Sequence, residues 1–386
     1  MSDRSPGSKR LRILAIEPYY GGSHQAFLDG WKRASGHEFR VLTMPARKWK
    51  WRMRGAAMWC AERLAEAEFG GDFDLIFTSD MMPVADLRAL LPVRLRHLPL
   101  VCYFHENQLT YPLSPDDRRD YQYGFTNITS CLAANEVWFN SGYHRNDFLT
   151  ATNKLLMEMP DCLPTGIARR IEARSRVLHP GVDLSELKGR MSHAAGEPPV
   201  IVWNHRWEYD KGPETFFRAL FSLSEAGMGF RLRVAGERFR TEPAIFDEAR
   251  RRLTEHVDHF GYYETREAYL EALESADLVV STAVHEFFGL AVVEAIAAGC
   301  FPILPDRLSY PELIPPEWHS QVLYRDDSLL ARRLAAALER QPGEEARREL
   351  ATHARRCDWR QRAEAFDDAA REAALNAADQ GHVRNG

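Results

Sequence analysis

No run of this sequence stays apolar for the roughly 18–20 residues that a membrane-spanning helix needs, so no membrane partner is expected. No apolar stretch precedes the first strand either. Residues 1–10, Met1-Ser2-Asp3-Arg4-Ser5-Pro6-Gly7-Ser8-Lys9-Arg10, read as a disordered tail and not as a secretory signal. Cysteine is scarce and scattered: Cys60, Cys102, Cys131, Cys162, Cys300 and Cys357 form no C-x-x-C pair, and several lie in apolar runs as reduced core thiols do. Structural zinc loses support, and a cytoplasmic location is expected. His256 and His259 have no second ligand pair nearby, which suits a surface role. A G-x-G-x-x-G fingerprint is missing too, so nicotinamide or flavin chemistry is not expected. Positive charge is in slight deficit, with a net charge of −5, so any nucleic-acid contact must be local.

What the chain does have is a repeated strand–helix alternation, which predicts parallel sheets. With 386 residues and 45% hydrophobic content it is long enough for two full cores. Strands are expected at Leu11–Glu17, Glu38–Thr43, Phe73–Thr78, Leu100–Phe104 and Glu136–Asn140 in the first half. In the second they are expected near Val200, Arg231, Val257, Asp277, Phe301 and Gln321. Residues 187–199 carry Gly, Pro, Ser and Ala without periodicity and mark a boundary. The division expected is a first Rossmann-like domain over 11–185, a linker over 186–199, a second domain over 200–345, and terminal helices with a polar tail over 346–386.

The densest chemistry is in the second half. An apolar run, Asp277-Leu278-Val279-Val280-Ser281-Thr282, is followed by His285-Glu286-Phe287-Phe288-Gly289-Leu290-Ala291-Val292-Val293-Glu294 and an apolar helix ending at Gly299. Such a strand-to-helix turn offers unpaired N–H groups and the positive end of a helix to phosphate oxygens. A Glu among Ala, Val and Ile is costly to bury without a partner. Glu286 and Glu294 therefore read as functional, although a chance pair on a buried helix is the alternative. Earlier in this half, Val200-Ile201-Val202-Trp203 leads into Asn204-His205-Arg206-Trp207-Glu208-Tyr209-Asp210-Lys211-Gly212-Pro213. Arg206 offers a bidentate fork and Lys211 a mobile point charge to a diphosphate. Alone, such a pair is ordinary surface charge.

The first half adds three motifs. Glu17-Pro18-Tyr19-Tyr20-Gly21-Gly22-Ser23-His24 joins the first strand to the first helix, and its adjacent glycines allow a ligand close to the backbone. Pro45-Ala46-Arg47-Lys48-Trp49-Lys50-Trp51-Arg52-Met53-Arg54 follows the second strand. Five cations interleaved with two indoles, read as a loop, make a phosphate-tracking surface with stacking platforms. Tyr103-Phe104-His105-Glu106-Asn107-Gln108 ends the fourth strand. Each has a plainer reading: His105 as a strand-end cap, His24 as a helix-start residue, Trp49 and Trp51 as interface packing, Asn107 and Gln108 as partners for buried backbone.

The second-half pattern resembles the E-x7-E element of retaining, nucleotide-sugar-dependent glycosyltransferases. These have two Rossmann-like domains facing each other across a cleft, the GT-B fold. The Tyr-Tyr-Gly-Gly-Ser-His turn, the Trp-Lys-Trp-Arg run and the Phe-His-Glu-Asn-Gln strand end together resemble the tRNA-queuosine α-mannosyltransferase family. That resemblance implies transfer of mannose from GDP-mannose to the cyclopentenediol of queuosine at the wobble position of a tRNA anticodon stem-loop. His105 and Glu286 would act at the sugar. Gly21, Gly22, Arg206, Lys211, Gly236, Phe288, Gly289, Leu290 and Glu294 would hold the donor. His24, Arg47, Lys48, Trp49, Lys50, Trp51, Arg52, Asn107 and Gln108 would face the acceptor. Neither cofactor nor metal is expected, since Arg206, Lys211 and the amides near Gly289 would meet the leaving group's charge. The rivals are a transferase of the same fold with a lipid or polysaccharide acceptor, a sugar-nucleotide epimerase, and a non-catalytic RNA-binding module. The last would not need both donor motifs.

Overall fold

Two six-stranded sheets, every strand pairing parallel, organise the chain. The computed structural model describes residues 9–113, 118–189, 197–237 and 243–383, with side chains to residue 376 in the last helix. The first sheet contains β1 (Arg12–Tyr20), β2 (Glu38–Pro45), β3 (Leu75–Ser79), β4 (Leu100–Phe104), β5 (Glu136–Phe139) and β6 (Ser175–Val177), in the order β2-β1-β3-β4-β5-β6. The second contains β7 (Val200–Trp203), β8 (Arg231–Ala235), β9 (Val257–Gly261), β10 (Leu278–Val280), β11 (Phe301–Pro305) and β12 (Leu323–Tyr324), in the order β12-β11-β10-β7-β8-β9.

β3, β4, β7, β10 and β11 are buried along their whole length, which is why they read as continuous apolar runs instead of alternating ones. In each sheet the chain leaves its first strand to one side and returns on the other. The strand order reverses between β1 and β3, and again between β7 and β10. In open α/β sheets a ligand binds outside the carboxyl ends of the strands at such a point.

The chain divides differently from the sequence expectation. The first compact unit is residues 1–181 plus 359–386, and the second is 182–358. Leu184 and Leu187, placed at the end of the first domain and in the linker by sequence, are buried in the core of the second unit. Residues 190–196 of the expected linker, and 1–8 of the expected tail, lie outside the described residues. The terminal helices split as well. Leu350 and Ala354 belong to the second core. The helix Trp359–Val383 instead packs Trp359, Phe366, Ala370 and Ala373 against Phe27, Trp31, Phe77 and Trp138 of the first. Its alanine-rich composition hides this apolar stripe from a pattern reading. Trp359 sits where a Cβ on Gly30 or on Gly181 would come within 2.0–2.1 Å of its indole. Asp367 ties the helix down by accepting from Trp31 Nε1 at 3.0 Å and Gly36 N–H at 2.7 Å.

Two local expectations also change. The cation–indole run is not a loop: the helix Trp49–Leu64 begins inside it, after Lys48 in a left-handed conformation at φ 56°. Its exposed indoles break the apolar periodicity that signals a helix. The short strand β6, with Arg176 at its centre, gave no strand signal at all.

Candidate active site

At the switch point of the second sheet, the loop after β7 brings Lys211 against the turn after β10. Lys211 Nζ lies 3.1 Å from Asp210 Oδ2, 3.3 Å from Glu286 Oε2, and donates to the His285 carbonyl at 3.0 Å. Gly212, at φ 63°, makes this approach possible: a Cβ there would meet the Thr282 carbonyl oxygen at 2.3 Å. Lys211 is thus a fixed charge, not the mobile one expected from sequence. Glu286 is shaped by the same contacts. Burial works against its charge more than any single contact favours it, but Lys211, His205, the Phe288 amide and His285 together overcome burial and hold the carboxyl down at about 2. His205 and His285 are pushed the other way, both to about 4, first by burial and then by the Lys211 ammonium. One lysine, two carboxylates and two neutral imidazoles therefore share the carboxyl edge of β7 and β10.

Gly289 caps the helix Leu290–Ala298 at φ 97°, and no side chain caps the amides of its first turn. Phe288 is buried, with its N–H on Glu286 Oε1 at 3.3 Å. Further along, Glu294 pairs with Arg266 at 2.6 Å and accepts from the Tyr269 hydroxyl at 3.1 Å. Asn204 braces that hydroxyl at 3.0 Å and donates to the Ala291 carbonyl at 2.7 Å. Arg206 lies at the surface, 3.0 Å from Glu208. Gly236 has a packing reason to be glycine: the His205 carbonyl oxygen lies 1.9 Å from where its Cβ would be. Sequence reading missed Asp210, Arg266 and Tyr269. Asp210 was legible only as the neighbour of Lys211, and the other two carry no motif.

The first sheet gathers its own cluster at its switch point, from the ends of β1, β3 and β4. Glu17 accepts from the Tyr19 N–H at 2.8 Å and the Ser79 hydroxyl at 2.9 Å, and lies 3.3 Å from His24 Nδ1. His24, in the first turn of the helix Gly22–Ala34, is buried and lies tilted by 37° against His105 with ring centroids 4.1 Å apart. Burial disfavours its charge, yet Glu17, Asp80 and Glu106 together overcome burial and raise it to about 9. The His105 backbone is held on both sides, its N–H on Asp80 Oδ1 at 2.8 Å and its carbonyl on Asn140 Nδ2 at 2.9 Å. Burial, then the charge on His24, pushes the His105 ring well below its ordinary value, so it is neutral. Its Nε2 has no protein partner among the described residues. Glu17 and Asp80 were not singled out by sequence. The available signal was a carboxylate at the carboxyl end of an apolar strand.

Several residues expected at the acceptor are engaged elsewhere. Arg52 is turned inward, with Nε and one terminal nitrogen on the Pro45 carbonyl at 3.2 and 3.1 Å. Asn107 Oδ1 accepts the N–H groups of Leu109 and Thr110, each at 3.0 Å, an Asx turn that fixes its own loop. Gln108 holds Glu106 at 3.0 Å. His24 touches His105 and Glu17, which makes it a positioning group. Gly21 is extended, and a Cβ there would lie 2.5 Å from that of Ala46, whereas Gly22 is left-handed and open around its Cα. Arg47, Lys48, Lys50 and Trp51 are exposed, and Trp49 is half-buried against Tyr123.

Glu17, His24 and His105 place one ligand atom each within 4.8 Å of one another, a spacing a divalent ion accepts. The chain also carries one Asp-x-Asp pair, Asp72 and Asp74. It stands at the amino end of β3, where Asp74 takes the Arg12 N–H at 2.8 Å and pairs with Lys9 at 2.5 Å, so it serves the fold.

Each unit is a Rossmann-like domain on its own parallel sheet, and the second, with a glycine-capped helix and a Lys–Glu pair at its switch point, matches a glycosyltransferase family, which makes the chain a glycosyltransferase of the GT-B class. Residues 188–356 match the family described as glycosyl transferases group 1. The catalytic domain of starch synthase IV from Arabidopsis thaliana has the same fold, with a TM-score of 0.69 at 12% identity over 95% of this chain and 100% of that one. Residues 12–182 match the family described as tRNA-queuosine alpha-mannosyltransferase N-terminal. The chain is 37% identical over 331 residues to the tRNA-queuosine alpha-mannosyltransferase of Drosophila melanogaster, covering 83% of this chain and 85% of that one. It is 28% identical over 193 residues to a GDP-mannose:cellobiosyl-diphosphopolyprenol alpha-mannosyltransferase of Xanthomonas campestris, 49% of this chain and 50% of that one. The chain belongs to the tRNA-queuosine α-mannosyltransferase family. Among the described residues no helix is long and apolar enough to cross a membrane.

Proposed function

We propose that this enzyme moves mannose from GDP-mannose to the cyclopentenediol of queuosine in a tRNA anticodon stem-loop, in the cytoplasm, with retention at the anomeric carbon. The observation that carries the chemistry is the fixed Lys211–Glu286 pair beside the uncapped amides after Gly289. Departure of a nucleoside diphosphate builds negative charge on its terminal phosphate. Lys211, Arg206 and the amides of the helix Leu290–Ala298 supply the countercharge, so no metal is needed at that step. Glu286 stays ionised and favours the oxocarbenium-like sugar, and Glu294 accepts the ribose hydroxyls. His105, neutral and with Nε2 unengaged, takes a hydrogen bond from a sugar hydroxyl. The departing phosphate removes the acceptor proton on the same face, so no protein nucleophile is required. The identity of donor sugar and acceptor rests on the Drosophila and Xanthomonas relatives.

The test uses labelled GDP-mannose with two tRNAs of one sequence, one carrying queuosine and one carrying guanosine at the wobble position. Label should enter the first only. Equal transfer to both, or none to either, sinks the queuosine reading. The same assay on a stem-loop in excess EDTA should proceed undiminished. Activity lost on chelation and restored by magnesium or manganese would move the countercharge to a bound ion.

A further inference from the structure

The helix Trp49–Leu64 has a face that the fold does not use. Met53, Ala56, Ala57, Cys60 and Leu64 point into the first core. On the opposite side Trp51, Met58 and Trp59 are 56, 53 and 38% exposed. Seven and eight residues from Trp51, Met58 and Trp59 fall on one stripe of a helix. Gly55 lies on that stripe too, and a Cβ there would come within 2.5 Å of the Trp51 indole. The missing side chain lets the indole lie flat along the helix. Three large apolar groups left in water on one helix mark a contact surface more than chance exposure does.

The charge around the stripe says what it fits. Arg47, Lys48, Lys50 and Arg54 are exposed, and among the described residues none has a carboxylate partner. Lys50 and Arg54 sit over the rings of Trp49 and Tyr123 at 5.6 and 5.1 Å. No side chain caps the amino end of this helix, so its amides add to the positive field. Glu62 closes the stripe at its far end. Arg54 also donates to the Thr126 hydroxyl at 3.4 Å. Four cations without a carboxylate partner among the described residues, in a chain of net charge −5, are a local concentration suited to phosphates. A paired duplex offers phosphates but hides the flat faces of its bases, whereas an unpaired loop offers both.

We propose that Trp51, Met58 and Trp59 form a stacking surface for unpaired bases of the acceptor RNA loop, with Arg47, Lys48, Lys50 and Arg54 holding the flanking phosphates. This rests on the acceptor being an RNA, as argued above. It assigns Met58 and Trp59 a role that the sequence reading did not, and it removes Arg52 from the surface.

Fluorescence anisotropy with a labelled seven-base-loop hairpin lacking queuosine, and with a fully paired duplex of the same length, tests the surface apart from the chemistry. Wild type should bind the hairpin clearly tighter than the duplex. Trp51→Ala and Trp59→Ala should each weaken hairpin binding roughly five- to a hundred-fold at unchanged melting temperature. Lys48→Gln with Lys50→Gln should lower the salt slope by about one per lost phosphate contact. GDP-mannose affinity by calorimetry should not move. Hairpin binding unaltered in the double tryptophan variant, equal affinity for the duplex, or capture of anionic vesicles in place of RNA each overturns the proposal. If the tryptophan variants lose the hairpin but queuosine tRNA is no substrate, the surface stands and the acceptor reading falls.

Discussion

Replacing Lys211 by Met should lower mannose transfer by a factor of at least about 10² to 10³, the loss seen when one charge-stabilising donor is removed. The same variant should lose stability, because Asp210 and Glu286 then face each other without a cation. Breaking one partner out of a buried ion pair costs about 3–5 kcal/mol. The two effects separate in Glu286→Gln, which keeps the side-chain shape and leaves Lys211 on Asp210. Its melting temperature should fall less than that of Lys211→Met, while its rate falls comparably. Rates per folded molecule come from transfer assays normalised to calorimetric folded fraction. A near-wild-type rate in both variants would remove this pair from the chemistry. Since Glu286 is held at about 2, its stabilising charge is present above the ordinary carboxylate value near 4.5 and is lost only as pH falls through about 2. An acid limb in the rate profile near neutrality therefore belongs to another group.

Raising the pH from 6.5 to 9 should destabilise the first unit by about 2–3 kcal/mol, because the buried His24–Glu17 pair loses its proton over that interval. The sign follows from His24 being raised from 6.5 to about 9: the stabilisation is complete below 6.5 and disappears as pH rises through the folded value. Asp80, raised first by burial, shifts stability in the same direction. Glu17→Gln removes the main attraction on His24. That variant should melt earlier at pH 6.5 and show a flatter decline toward pH 9. Calorimetric scans at three pH values for both proteins decide it. A parallel decline in both would mean that the His24 proton is not held by Glu17.

How far the sequence led depends on how locally each feature is encoded. Strands such as β7 and β10 are buried on both faces, so a few β-branched and aromatic residues sufficed to find them. The Gly289 turn announced itself because a glycine between a strand and an apolar helix has few other uses. Lys211 and Glu286 were found separately, and their 3.3 Å contact came only from the parallel pairing of β7 with β10. Arg52 illustrates the opposite case. It reads as one more cation in a basic run, yet the turn of the helix aims it at the Pro45 carbonyl. Asn107 read either as an acceptor contact or as a partner for buried backbone, and the loop closed around its side-chain Oδ1 fits the second. Glu17 and Asp80 were in plain view at strand ends, but only the order β1-β3-β4 puts them beside His24 and His105.

The last helix belongs to the first unit, and that has a consequence during synthesis. A ribosome emits all six strands of the first sheet, then the whole of the second unit, before Trp359 appears. At 5–20 residues per second the interval is on the order of ten seconds or more. Throughout it, Trp31, Phe77, Tyr103 and Trp138 lack the Phe366 face that later covers them. The nascent chain thus presents an aromatic floor to chaperones while its donor half is already complete. A stop codon or proteolytic cut just ahead of Trp359 leaves a fragment with an intact second core and an adhesive first one. The segment Trp359 to Ala373, remote in sequence from every motif, is therefore what closes the first core.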